Sequence, residues 1–228
     1  MIFGGVQRTT TIDFPGVLAC VLFTRGCDAD CFYCHNRDLL ARAGQALEEA
    51  EVFRFLERRR GLLDGVVVSG GEPTLQPDLE RFLARLREWG YRIKLDTNGR
   101  RPDLVGALME RGLVDYLAVD VKALPGDYPA VCGLEGFSAA AETLARAAER
   151  GLAREARTTL YPGMTLDALE ELLGLLPPMP RWRLNYFRMP ERFRPEDAAR
   201  LALPAPTPGR VKERLPRLLA LQPNLIYE

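Results

Sequence analysis

Cys27, Cys31 and Cys34 bring three thiols into one short segment, Cys27-Asp28-Ala29-Asp30-Cys31-Phe32-Tyr33-Cys34. Thiolates select iron–sulfur clusters, zinc or cuprous ions over hard cations. In a cubane cluster, three cysteines leave one iron without a protein ligand and open to a substrate or cofactor, whereas ferredoxin-type runs supply a full cysteine complement. His35, the only histidine, follows Cys34 directly and offers a competing Cys3His zinc site. Immediate Cys-His adjacency is an awkward spacing for such a ligand pair. Cys20 sits in an apolar run and Cys132 stands alone between Val131 and Gly133, so both read as structural thiols.

Other polar clusters recur after short apolar runs. Gly70-Gly71-Glu72-Pro73, Asp96-Thr97-Asn98-Gly99, Asp120-Val121-Lys122, Arg157 and Asn185-Tyr186-Phe187-Arg188 each stand at or near the end of one. Paired glycines let backbone approach a ligand. Glu72 can orient an ammonium group, and Lys122 or Arg157 can pair with a carboxylate. Asp96 and Asp120 can accept from ribose hydroxyls or hold a cation. Taken singly, each has an ordinary structural explanation: a turn before a helix, an Asn-Gly turn, a surface ion pair. Taken together, they suit a zwitterionic, sugar-bearing ligand beside an open iron.

The elements that must position these groups alternate. Strands are expected over residues 17–23, 65–69, 91–95, 116–121, 153–160 and 182–187. Helices are expected over 46–59, 77–89, 102–111, 138–150 and 165–176, with Thr165 as N-cap. Residues 190–228 read as Pro-rich and irregular, with a short helix near 211–219 that Pro216 would interrupt. This order implies a parallel sheet with right-handed crossovers, either an open barrel or an open twisted sheet. Chemistry then belongs at the carboxyl ends of the strands, where all the polar clusters fall.

The chain has 228 residues, 47% hydrophobic and 27% charged, with Lys+Arg and Asp+Glu both 31. Zero net charge gives no support to a general nucleic-acid or anionic-membrane binder. No apolar run approaches the roughly 20 residues of a membrane span, and residues 1–11 lack a signal-peptide pattern. A cytoplasmic location with reduced cysteines is expected. The arginine-rich basic set, with Lys94, Lys122 and Lys212 as its lysines, fits a GC-rich coding bias.

With Cys27, Cys31, Tyr33 and Cys34 matching a C-x-x-x-C-x-aromatic-C signature, and Gly70-Gly71-Glu72 following the second expected strand, the chain resembles the radical S-adenosylmethionine (SAM) enzymes. Cys34-His35-Asn36 and the opening Thr11-Ile12-Asp13-Phe14-Pro15-Gly16 are similar to the glycyl-radical-enzyme activating proteins, closest to the anaerobic ribonucleoside-triphosphate reductase activating subgroup. The resemblance covers roughly residues 5–190. It implies an α/β fold, an open partial (β/α)6 barrel over residues 1–190, with 191–228 a Pro-rich extension packed on the same domain. It also implies one [4Fe–4S] cluster and SAM as cofactors, and a flavodoxin or ferredoxin reductant. The implied reaction yields a 5′-deoxyadenosyl radical that takes hydrogen from a glycine Cα in a partner enzyme.

The resemblance further implies residue roles. Cys27, Cys31 and Cys34 hold the cluster, and Tyr33 meets the adenine. Gly70, Gly71 and Glu72 orient the methionyl amine, with Lys122 and Arg157 near its carboxylate. Asp96, Thr97 and Asp120 lie near the ribose, where some relatives also hold a monovalent cation. Arg188 stands where some relatives have a histidine near the cofactor. Asp28 and Asp30 read as a solvated face or as modifiers of cluster potential and reductant docking. Two alternatives stand beside this reading. One is a small-molecule radical SAM synthase of the 7-carboxy-7-deazaguanine type, which usually has Cys-Asp-Thr after the cluster. The other is a non-catalytic zinc or iron–sulfur module.

Overall fold

A computed structural model describes residues 1–227. Eight strands form one sheet in strict sequence order: β1 Phe3–Thr10, β2 Ala19–Thr24, β3 Gly65–Gly70, β4 Arg92–Thr97, β5 Tyr116–Asp120, β6 Ala153–Leu160, β7 Trp182–Tyr186 and β8 Leu225–Ile226. Only β1 runs antiparallel to its neighbour; every later pairing is parallel. Strands β2 to β7 are joined through α1 Glu49–Arg58, α2 Leu79–Glu88, α3 Pro102–Glu110, α4 Tyr128–Cys132, α5 Phe137–Glu149 and α6 Leu166–Gly174. Sheet edges β1 and β8 do not pair with each other, so the barrel is open, as the (β/α)6 reading expects. No helix among the described residues is long and apolar enough to cross a membrane.

The two faces of the sheet differ because strand residues alternate. Cys20, Leu22, Val66, Val68, Ile93, Leu95, Leu117, Val119, Ala156, Leu160 and Trp182 pack outward into one large core with the helices. Residues of the opposite parity face inward. At the amino-terminal end these are Ala19, Val21, Val67 and Tyr116, which form a second cluster with Phe14 and Val17. Farther along the strands the inward positions are Lys94, Asp96, Asp120, Glu155, Arg157 and Arg183. The barrel interior is therefore apolar at its base and charged above.

Several expected elements need correction. Strand β1 is absent from the expectation because Gly4, Gly5 and its exposed polar half show no apolar alternation; its pairing to β2 defines it. Helix α4 is short and contains Pro129, too little for periodicity to reveal. The tail is not irregular. It forms α7 Ala198–Leu201, α8 Pro208–Leu221 and β8, and α8 continues through Pro216. Val211 and Leu218 of α8 join the main core, and tertiary burial outweighs the missing amide of Pro216. Thr165 does cap α6, its hydroxyl accepting from the Ala168 amide at 3.0 Å.

The segment Thr11-Ile12-Asp13-Phe14-Pro15-Gly16 closes the barrel base. The Thr10 hydroxyl donates to Asp13 Oδ2 at 2.5 Å and accepts the Asp13 amide, tightening the turn. Phe14, fully buried, packs 5.9 Å from the Tyr116 ring and beneath the Arg92 guanidinium. Gly65 makes room for this plug, since a Cβ there would meet Val17 at 2.8 Å and Phe14 at 3.1 Å. Phe14→Ala should cost about 3–5 kcal/mol, read as a lower urea midpoint with unchanged m-value, while Ile12→Ala at the exposed turn should stay within about 0.5 kcal/mol.

Candidate functional site

At the carboxyl ends of the strands a cavity of about 570 Å³ is lined by Cys27, Cys31, Cys34, Tyr33, Gly70, Gly71, Glu72, Asp96, Thr97, Asp120, Lys122, Arg157 and Arg188. Every site residue expected from the sequence thus shares one cavity. The wall also includes Ser69, Asn98, Thr159, Arg183 and Asn185, which sequence reasoning did not assign. Their positions at strand ends, in step with the assigned residues, were the available signal.

The cysteine loop is fixed from both sides. Buried Arg25 donates to the carbonyls of Asp38, Ala43 and Gln45 at 2.6, 2.7 and 3.1 Å, and Gln76 Nε2 donates to the Arg25 carbonyl at 2.6 Å. Amides of Asp30 and Phe32 donate to the carbonyls of Cys132 and Val131 in α4. Asp28 accepts from Asn98 and pairs with Arg100; Asp30 pairs with Arg37 and, at 2.6 Å, with Arg194. Asp28 is exposed and Asp30 half-buried, so these aspartates tie down the loop by ion pairs on a partly solvated face. Arg200 lies 3.9 Å over the Phe32 ring, so the tail buttresses the loop.

Gly70 and Gly71 meet a stricter demand than ligand access. Gly70 has φ +116°, and a Cβ would fall 2.2 Å from the Thr24 amide nitrogen; one on Gly71 would fall 2.3 Å from the Gly26 carbonyl oxygen. The glycines let the end of β3 press against the root of the cysteine loop. That contact delivers Glu72 to the cavity wall. Glu72 Oε1 accepts from the Thr74 amide and hydroxyl and from the Thr97 hydroxyl, at 3.1, 2.7 and 2.8 Å, while Oε2 accepts only the Asn98 amide at 2.7 Å. Oε2 keeps hydrogen-bonding capacity. Thr97 therefore acts as a strut for Glu72, a firmer role than the ribose contact expected for it. Burial raises the Glu72 pKa, against the pull of these hydrogen bonds.

Beneath the rim runs a chain of opposed charges. Lys122 Nζ lies 2.9 Å from Asp120 Oδ2. Arg157 spans Asp120 Oδ1 and Asp96 Oδ2 at 2.9 and 2.7 Å. Lys94 Nζ sits 3.0 Å from Asp96 Oδ1 and 3.2 Å from Glu155 Oε1, and Arg181 closes the chain 2.9 Å from Glu155 Oε2. Lys94 and Glu155 side chains are only 2% and 3% exposed. Lys122 and Arg157, expected from the sequence near a ligand carboxylate, are paired here with these aspartates. Burial would raise the Asp120 pKa, but Arg157 and Lys122 outweigh it and hold the group at about 2. Asp96 is likewise lowered, with burial again opposed by Arg157 and Lys94.

The thiols are less uniform than their spacing implies. Cys132 hydrogen-bonds to the Cys31 sulfur, and that contact lowers the Cys31 pKa against burial, while burial raises Cys27 and Cys34. Cys132 is a fully buried core thiol, as expected, and it adjoins Cys31. Among the described residues no three His, Cys, Asp or Glu side chains already converge as a ligand set. The donor chemistry nonetheless fits a thiophilic cluster: three cysteines on one cavity wall, one of them biased toward the thiolate. The requirements of an amine and a sugar also fit, through the spare lone pair of Glu72 Oε2 and the carboxylate of Asp120, whose side chain is 29% exposed on the cavity wall. Tyr33 stacks on Tyr161 at 5.4 Å with planes 9° apart, and exposed His35 stands at the mouth.

A family model described as the Radical SAM superfamily matches residues 21–176. The chain belongs to the radical SAM superfamily. Its members use a [4Fe–4S] cluster and SAM. A Methanocaldococcus jannaschii protein described as a glycyl-radical enzyme activating enzyme is 37% identical over 122 residues, covering 53% of this chain and 50% of that protein. The pyruvate formate-lyase-activating enzyme of Staphylococcus aureus is 39% identical over 100 residues, 41% of this chain and 39% of the relative. The chain thus spans about half or less of the length of these curated relatives. Among solved structures, Streptococcus suis SuiB bound to S-adenosylmethionine superposes with a TM-score of 0.67 at 15% identity, covering 91% of this chain and 51% of that one. Native anSMEcpe with bound AdoMet gives 0.62 at 14%, covering 86% and 57%. At such identities these two establish the fold alone.

Two outcomes follow from the charge chain. Asp120 has its pKa depressed below its ordinary 3.8 to about 2, so its contribution is complete above pH 4 and disappears as pH falls through 2. That contribution is at most about 2 kcal/mol, reduced by solvent at its 29% exposed side chain, and urea midpoints between pH 2 and 5 should trace its loss. Lys94→Met should cost about 3–5 kcal/mol by leaving Asp96 and Glu155 buried and underpaired; the triple change Lys94→Met, Asp96→Asn, Glu155→Gln should recover part of it in thermal denaturation.

Proposed function

We propose that this protein reductively cleaves SAM at a [4Fe–4S] cluster held by Cys27, Cys31 and Cys34, and installs a glycyl radical on a partner enzyme. The partner is an anaerobic ribonucleoside-triphosphate reductase, and the electron donor a reduced flavodoxin or ferredoxin. One observation carries the chemistry: a single cavity joins the three cysteines to Glu72, Asp96, Asp120 and Lys122 at successive strand ends. The activating role is supported by the likeness to the archaeal and staphylococcal relatives, and the reductase by the motifs Cys34-His35-Asn36 and Thr11 to Gly16.

When bound, these cofactors supply reductive carbon–sulfur cleavage that ends in hydrogen abstraction from a glycine Cα. The chain's own residues bind, orient and shield. Glu72 Oε2 accepts from the methionyl ammonium, and its two threonine contacts keep the carboxylate from rotating away. Asp120 and Asp96 receive ribose hydroxyls. Arg157 keeps both aspartates ionised, with Lys122 on Asp120 and Lys94 on Asp96, so they remain acceptors at neutral pH. Tyr33, braced by Tyr161, forms an apolar wall for the adenine and keeps water from the reacting centre.

This reading has a direct test. After anaerobic reconstitution, the protein should hold iron and sulfide rather than zinc, cleave SAM with dithionite, and leave a stable radical signal on the reductase in electron paramagnetic resonance. Turnover of a small pterin with no partner requirement would overturn it. Cys31→Ala should abolish SAM cleavage while keeping the wild-type circular dichroism spectrum; retained cleavage would remove Cys31 from the ligand set.

A further inference from the structure

Cys31 and Cys132 are far apart in the chain, and the fold sets them side by side. The Asp30 amide donates to the Cys132 carbonyl at 2.9 Å, and the Phe32 amide to the Val131 carbonyl at 3.2 Å. Backbone bonds on both sides of Cys31 thus hold it against the end of α4. Gly133 completes the contact, since a Cβ there would lie 3.6 Å from the Asp30 Cβ. Both cysteine side chains are buried, Cys132 wholly and Cys31 at 7% exposure, and they hydrogen-bond to each other. Cys27 and Cys34, though nearer in sequence, do not converge with Cys31 as a ligand set among the described residues. In this arrangement the thiol partner of Cys31 is Cys132.

A thiol that faces a cavity and backs onto a second thiol has the geometry of a two-step oxidation. Cys31 lines the cavity wall, so a small peroxide reaches its sulfur, while Cys132 stands behind it in the core. We propose that Cys31 and Cys132 form a reversible disulfide when the cluster-free protein meets hydrogen peroxide, a modification site that withdraws Cys31 from metal binding. In the first step the Cys31 sulfur attacks one peroxide oxygen; the O–O bond breaks, water leaves, and Cys31 becomes a sulfenic acid. In the second the Cys132 sulfur attacks the Cys31 sulfur; the S–S bond forms, the S–O bond breaks, and a second water leaves with the Cys132 proton. Peroxide is reduced to two waters, and the two thiols supply the two electrons and two protons. Because the flanking backbone bonds already hold both positions, little loop entropy opposes closure. Exchange with a dithiol reverses the bond. The disulfide goes beyond the function proposed above; only its effect on metal binding rests on Cys31 being a cluster ligand.

The test uses the full-length, cluster-free protein, treated with hydrogen peroxide while circular dichroism shows it folded. It is then blocked with iodoacetamide and digested with trypsin without reductant. Cleavage after Arg25, Arg37, Lys122 and Arg146 places Cys31 and Cys132 in separate peptides, residues 26–37 and 123–146. These two should appear as one cross-linked pair, assigned to Cys31 by fragmentation, with two of the five thiols lost and both recovered by dithiothreitol. The same treatment in urea should favour bridges within residues 26–37, because short loops close more readily once the fold is lost. A folded protein whose Cys132 is still alkylated, with Cys31 bridged to Cys27 or Cys34 or oxidised beyond recovery, would overturn the inference, and that outcome needs no variant to fold. In Cys132→Ala the Cys31 sulfenic acid should pass on to the sulfinic acid, which dithiothreitol does not reverse; undiminished recovery there would count against Cys132 as the resolving thiol. Failure of the ligand reading shows separately. Cobalt(II) should give a thiolate charge-transfer band with the reduced protein and lose it with the cross-linked one, and an unchanged band would remove Cys31 from the ligand set while the disulfide stands on the peptide map.

Discussion

The charged layer inside this barrel, formed by Lys94, Asp96, Asp120, Glu155 and Arg157, stands because each of these charges faces another at ion-pair distance. Lys94, at 2% exposure, has lost several kcal/mol of hydration, which Asp96 and Glu155 offset. Asp96 and Asp120 stay ionised because Arg157 lies between them. The chain crosses neighbouring strands β4, β5, β6 and the approach to β7, so it depends on parallel register. A slip of one residue would turn these groups into the helix layer.

That constraint explains the division of labour along the strands. Below the charges, Phe14 and Val17 fold under the sheet and seal its base against water. Above them, the cavity gathers thiols, carboxylates and an aromatic wall. Gly70 and Gly71 connect the levels by allowing β3 to abut the loop that carries the cysteines. The tail contributes through Arg194 on Asp30 and Arg200 on Phe32. The cysteine loop is therefore supported by β3, by α4 and by residues more than 150 positions later in the chain.

Much of the fold was legible because parallel strands buried on their outer face are runs of Val, Leu and Ile, and their helices end at Gly90, Gly112 and Gly151. β6 matches its expected span to the residue, and the other expected strands lie within a few residues of theirs. What escaped had weak local signals. An exposed edge strand such as β1 has no alternation to read. A proline inside α8 argues for a break that packing against α6 overrides. For the site, residue types at strand ends led to the right cavity, since a strand end is a fixed place in this architecture.

The sequence alone determined that three thiols lie close together, that strands and helices alternate, and that the polar clusters share the carboxyl rim. Local spacing and period suffice for those. Only the tertiary structure decided which charges neutralise which. Lys122 and Arg157 turned out to serve Asp120 and Asp96, Thr97 to brace Glu72, and Asp28 and Asp30 to clamp the loop, while Arg183 was left facing the cavity. Coulomb partners are set by distances across strands, and distances between residues far apart in the chain exist only once the sheet has closed.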